Sequence, residues 1–226
     1  MRAHSFNPLG WMGTLVLAMT SFLPATLRAE APKTLFIGDS ITLGQGTHHP
    51  ETERWTALVS KANGWVEINE GKGGRPSSAM AEIKAIIEKR KSDPGITRLV
   101  IALGANDSRD PSPDIAGQVA RHLAETIDLA HAAAPGWQII LCGPYNVNRE
   151  HLANKEVAQY RERNLTAIDA AVKKLAADRH LPFVEFLGVI PPGSLTVDGV
   201  HPDPAGYAAV AKIFLSSIPA NSTPSL

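Results

Sequence analysis

From Lys33 onward, short apolar runs take turns with segments whose apolar residues recur at helical spacing. That alternation constrains the fold more than any other feature of the chain. KTLFIG (33–38), WVEIN (65–69), ITRLVIALG (96–104), WQIILCG (137–143) and LPFVEF (181–186) have the length and apolar content of buried strands. Between and after them, helices are predicted over 53–62, 80–91, 115–134, 156–179 and 204–218. Pro135 and Gly136 stop the third of these, and Asp203 with Pro204 supplies a cap and a first turn for the last. Five strands alternating with helices predict an α/β protein, a three-layer α/β/α sandwich around a five-stranded parallel sheet, with a flavodoxin-like strand order as the leading arrangement. No linker, repeat or low-complexity tract interrupts residues 32–218, so a single domain is expected there, followed by a flexible tail over 219–226.

The first 29 residues differ from the rest. Arg2 and His4 precede WMGTLVLAMTSFL (11–23), an uncharged run, and Ala29 and Ala31 offer small residues for cleavage. A charged start, an apolar middle and a small-residue site are the order of a signal peptide, and the run is short for a bilayer span. The chain is therefore expected to be exported, to the periplasm or beyond the cell, with cleavage after Ala29 or Ala31 and no stable membrane insertion afterwards. Across all 226 residues, 22 Lys and Arg balance 22 Asp and Glu, which gives no electrostatic reason to expect nucleic acid as a partner. The lone Cys142 cannot form an internal disulfide and reads as a buried hydrophobe in a strand.

Parallel sheets of this kind gather their functional loops at the carboxyl ends of the strands. Those loops are GDSITLGQG, EGKGGRPSS, GANDSRD, GPYNVNREH and LGVIPPGSLTVDGVHPD. Ser40, straight after the first strand, fits either a helix cap or a nucleophile. A serine hydroxyl needs a base to attack a carbonyl, and of the eight histidines His201 is the best placed, three residues after Asp198 in DGVHPD. His122 and His131 fall inside a predicted helix, where solvent or packing roles are expected. Asn106 can donate a hydrogen bond without titrating, Gly74 lets a backbone N–H approach closely, and Ser40 adds its own amide, so the three form a candidate oxyanion hole. No dinucleotide fingerprint, phosphate-binding loop, GxSxG elbow or metal-ligand spacing competes with this reading.

These blocks together resemble the GDSL, or SGNH, hydrolase family: GDSIT around Ser40, NEGKGG with Gly74, GAND with Asn106, and Asp198-Gly199-Val200-His201 at the end. The resemblance implies a serine ester hydrolase that forms an acyl-enzyme and uses no cofactor or metal, with Ser40, Asp198 and His201 as catalytic residues and Ser40, Gly74 and Asn106 as oxyanion donors. It also implies that Asp39 supports the site loops and that Asp107 is structural. The loops carry Arg75, Arg109, Tyr145, Asn146 and Arg149 as expected substrate-binding residues, a polar set suited to a small-molecule or saccharide ester, most simply an O-acetyl group on a carbohydrate. Val147, Leu187, Val189 and Ile190 offer a modest apolar surface, so a thioesterase or lysophospholipase-like hydrolase is the alternative. A non-catalytic carbohydrate-binding protein would have no use for Ser40, Asn106, Asp198 and His201 together.

Overall fold

The structure is a computed structural model that describes Met1, residues 30–195 and residues 198–218. The expected signal peptide, apart from Met1 and the residues around Ala31, and the expected tail lie outside the described residues. The chain builds β1 (Lys33–Gly38), α1 (Ser40–Leu43), α2 (Pro50–Glu53), α3 (Trp55–Asn63), β2 (Val66–Gly71), α4 (Met80–Arg90) and β3 (Ile96–Ala102). It continues with α5 (Ile115–Ala133), β4 (Gln138–Cys142), α6 (Lys155–Asp178), β5 (Phe183–Val184) and α7 (Pro204–Ser217). The five strands form one sheet in the order β2-β1-β3-β4-β5, every pair parallel.

Alternation along the strands assigns the two faces. Leu35, Ile37, Leu99, Ile101, Ile139 and Leu141 point toward α4, α5 and α6, where Ile83, Val119, Leu123, Ile168 and Val172 meet them. Phe36, Val100, Ile140, Cys142 and Val184 point the other way, onto α3 and α7. Trp55 anchors that second layer, with Phe36, Phe186 and Phe214 at ring-centroid distances of 5.5, 5.3 and 5.5 Å. Aromatic clusters of this geometry add to area burial about 0.5–1.5 kcal/mol per pair. Cys142 lies fully buried, and burial pushes its thiol well up. Among the described residues no helix is long and apolar enough to cross a membrane.

Most elements fall within one to three residues of the sequence expectation, with two departures. The expected helix over 53–62 is split, because Arg54 is extended (φ −66°, ψ 149°). Its guanidinium instead pairs with Glu67 of β2 through two hydrogen bonds of 2.9 and 2.7 Å. The last strand shrinks from 181–186 to Phe183–Val184. It is an edge strand, and Pro182 has no N–H to donate, although its carbonyl still accepts from Leu141 N at 3.0 Å.

Candidate active site

The site grows from the end of β1. Asp39 closes the strand and caps α1, its Oδ1 accepting from Ile41 N at 2.9 Å, which leaves Ser40 as the first helical residue. The turn sits against the end of β2, where a Cβ on Gly71 would lie 2.4 Å from Leu43 N. Only glycine permits that backbone approach. Ser40 is thus fixed at the carboxyl end of β1 rather than carried on a free loop.

The opposite wall comes from the loop before α7. Asp198 Oδ1 accepts from the amides of Val200 (2.8 Å) and His201 (3.0 Å), folding the four residues into a tight turn. Asp198 Oδ2 lies 2.5 Å from His201 Nδ1, and His201 Nε2 lies 2.9 Å from Ser40 Oγ. A carboxylate at Nδ1 favours the tautomer protonated there, which leaves Nε2 to accept the serine proton. The loop is braced on three sides. Asp203 N donates to Ser194 O at 2.8 Å while its side chain caps α7 at Gly206 N, also 2.8 Å. Asn148 N donates to Gly199 O at 2.7 Å. Tyr207 OH of α7 donates to Gln45 O at 2.8 Å, tying the helix after the histidine to the loop after the serine.

Asn106 follows β3 and faces the same edge. Its Nδ2 donates to Asp39 Oδ2 and to Arg75 O, each at 3.3 Å. Asp39 is 1% exposed, and burial, partly offset by the Ile41 amide, pushes its carboxyl up to about 6. Gly74 occupies a turn with φ +72°, in the left-handed region. Among the described residues the Ser40 and Gly74 amides make no hydrogen bond within the chain, so both remain available as donors.

The Asn106 loop is held from two directions. Asp107 accepts from Ser77 N (3.1 and 3.0 Å) and Ser77 Oγ (2.7 Å), and Ser77 Oγ lies 3.0 Å from His122 Nδ1. This clamps the loop after β3 to the segment after Gly74, and it gives His122 a partner that its helical position did not suggest. From α6, Asn164 Nδ2 donates to Ser108 O (3.1 Å) and Asp110 O (2.8 Å). Arg161 Nε donates to Ser108 Oγ (3.1 Å), and Tyr160 OH donates to Arg109 O (2.9 Å). Arg161 and Asn164 belong to no motif in the sequence. The available signal was their spacing with Leu165, Ile168 and Val172, which places two polar residues on the apolar stripe of α6.

The five expected substrate contacts divide. Arg109 and Arg149 are exposed on the loops after β3 and β4. Arg75 is 4% exposed and is committed to Gly38 O (2.7 Å), Glu70 O and Glu82 Oε1 (2.6 Å), so its guanidinium fastens β1 and β2 to α4. Tyr145 is 1% exposed and stacks on Phe186 at 5.1 Å, and burial raises its phenol well up. Asn146 exchanges two hydrogen bonds with the backbone of Ile190, at 2.9 and 3.0 Å, and so splices two loops together. Arg75 and Tyr145 are framework, not rim, because the guanidinium and the ring face are used inside the protein, whereas half-buried Asn146 both splices the loops and lines a concavity. Ile190 also joins the core, whereas Val147 and Leu187 line that concavity of about 210 Å³ with Leu165, Asn146, Glu162 and Thr166.

A family model described as the GDSL-like lipase/acylhydrolase family matches residues 36–209. A search of the curated proteins finds no match. Among solved structures, a member of the lipolytic G-D-S-L family from Veillonella parvula superposes with a TM-score of 0.65 at 19% identity, covering 82% of this chain and 97% of the other. A carbohydrate acetylesterase, Est24, from Sinorhizobium meliloti gives 0.64 at 15% identity, with coverage of 82% and 97%. An aryl esterase from M. smegmatis gives 0.64 at 18% identity, again with 82% and 97%. At these identities the likeness is one of fold.

Proposed function

The chain belongs to the GDSL-like lipase/acylhydrolase family, and we propose that Ser40, His201 and Asp198 are its nucleophile, base and acid in the hydrolysis of short-chain acyl esters. The observation that carries this is the unbroken line from Asp198 Oδ2 through both nitrogens of His201 to Ser40 Oγ, at 2.5 and 2.9 Å. Both contacts are within reach of proton transfer. His201 Nε2 takes the serine proton as Oγ attacks the carbonyl carbon, and Asp198 stabilises the imidazolium that results. Negative charge gathers on the carbonyl oxygen, where the amides of Ser40 and Gly74 and the side chain of Asn106 are the proposed donors. Collapse expels the alcohol, which leaves with the proton from His201. Water then attacks the acyl-serine through the same base and releases the acid.

For the substrate, we propose an O-acetyl group on a saccharide. Arg109 and Arg149 provide exposed donors for hydroxyls beside the site, and a fold relative bears the description of a carbohydrate acetylesterase. The concavity beside the loop after β4 is mixed, with Asn146, Glu162 and Thr166 next to Val147, Leu165 and Leu187, and its apolar part favours the second reading, a hydrolase of longer acyl chains or thioesters. The strand order supports a flavodoxin-like description of the fold. Export, with cleavage after Ala29 or Ala31, remains part of the proposal and is read from the mass of the protein recovered outside the cytoplasm.

The test is kcat/KM for C2, C4 and C8 esters of one alcohol, run beside acetate release from an acetylated oligosaccharide, with Ser40→Ala as control. An acetyl-specific site should peak at C2 and release acetate only with Ser40 present. Each further CH₂ is worth about 0.8 kcal/mol if it is buried, so a lipid-sized channel would instead peak at C8. That outcome would replace the acetyl reading with the second one.

A further inference from the structure

Arg161 differs from the other cations near the site. It projects from α6 into the protein and is 5% exposed, and among the described residues no carboxylate comes within 4.0 Å of its guanidinium. Its donors go to neutral oxygens on either side of Asn106: Nε to Ser108 Oγ at 3.1 Å and Nη2 to Ala105 O at 3.4 Å. Burying a guanidinium without a counter-ion is costly. Fastening the loop does not require that cost, since Asn164 and Tyr160 on the same helix already make three neutral hydrogen bonds to it. A burial this unfavourable calls for a use of the charge itself.

We propose that Arg161 is a positioning residue whose buried positive charge, fixed beneath Asn106, favours the negative charge that develops on the substrate carbonyl oxygen. The inference deepens the ester-hydrolase reading and rests on it. Arg161 does not touch the substrate; it acts through the loop that presents Asn106 and through its field. A fixed charge in a water-poor site acts more strongly than the same charge in solvent, and it needs no reorganisation when the reaction occurs. Burial, with the neighbouring positive charge of Arg109, lowers the guanidinium to about 10, which leaves it charged at neutral pH, and the more weakly felt Asp39 and Asp198 act the other way.

The experiment compares Arg161→Met, Arg161→Lys and Asn164→Ala with the parent protein, reading kcat and KM on an acetyl ester together with thermal unfolding. The neutral Arg161→Met variant should lower kcat by about tenfold to a hundredfold, somewhat less than the loss of a direct oxyanion donor, with KM nearly constant. Arg161→Lys should recover most of that loss. Asn164→Ala removes two loop hydrogen bonds but keeps the charge, and it should stay closer to the parent. A Met variant with parental kcat overturns the proposal. So does a Met variant no slower than Asn164→Ala combined with a Lys variant that fails to recover, because the residue would then be only a tether. If the Met chain does not fold, Arg161→Gln takes its place, and the Gln-against-Lys comparison decides. Labelling of Ser40 by a fluorophosphonate separates the two levels. A parent that is neither labelled nor hydrolytic refutes the ester-hydrolase reading and this inference with it, whereas a labelled, active parent with an indifferent Arg161 refutes the inference alone.

Discussion

Replacing Asp39 by Asn should stabilise the protein at neutral pH and destabilise it in acid. The carboxyl is fully buried, and burial raises it from 3.8 to about 6. Below pH 3.8 the folded and unfolded chains are both protonated there, and nothing is lost. Between the two values the folded protein keeps the proton while the unfolded chain releases it, so stability falls as pH rises. Above about 6 both forms are ionised and the loss is complete. At about 1.4 kcal/mol per pKa unit, the loss comes to about 3 kcal/mol. Asn is as good a helix cap as Asp, and its Oδ1 can keep the bond from Ile41 N. Its amide, however, meets Asn106 Nδ2, which now donates to Asp39 Oδ2, and setting donor against donor costs about 1 kcal/mol or somewhat more. The net expectation is a gain of about 1–2 kcal/mol at pH 7.5 and a loss of about 1 kcal/mol at pH 3.5. Urea unfolding of both proteins at the two pH values measures the difference directly, and titrating groups not coupled to Asp39 cancel in it. Equal effects at both pH values would refute the reasoning, because they would mean that Asp39 carries no ionisation penalty. The stabilised variant should also be the poorer catalyst, since Asn106 loses an acceptor that orients it.

Two further outcomes follow from the same geometry. Asn106→Ala should lower kcat by about 10²–10³ on an activated ester, and an unchanged kcat would remove Asn106 from the oxyanion site. It should also cost about 1–3 kcal/mol of stability, because buried Asp39 Oδ2 loses its Asn106 donor. Gly71→Ala places a Cβ 2.4 Å from Leu43 N, a backbone atom that cannot step aside as a side chain would. It should cost about 1–3 kcal/mol of stability and displace the serine turn, so near-parental stability and activity in that variant would show that the contact is not tight.

The sequence carries some parts of this molecule openly and hides others, for physical reasons that can be named. Strands β1, β3 and β4 are buried on both faces, so their apolar runs announce them. Ser40, Asn106 and His201 are legible because their chemistry is unusual at the ends of such strands. Arg75 and Tyr145 mislead for the opposite reason. A loop has no periodicity that separates inward from outward side chains, and polar residues there look solvent-facing by default. Arg75 turns inward to satisfy backbone carbonyls and Tyr145 to stack on Phe186, which only the packed fold defines. Arg161 and Asn164 lie between these cases: their helical register placed them on the buried stripe, but the loop they serve is more than fifty residues away in sequence.

Tyr207 and His201 reach back across the molecule to Gln45 and Ser40, over 162 and 161 positions of chain. Neither contact can form from a local element alone. The proposed nucleophile and its proposed base meet only once the loop before α7 and α7 itself have docked against the turn after β1. Contacts of such long sequence separation close late and slowly in folding, so a chain that has paired its first strands still lacks the Ser40–His201 contact.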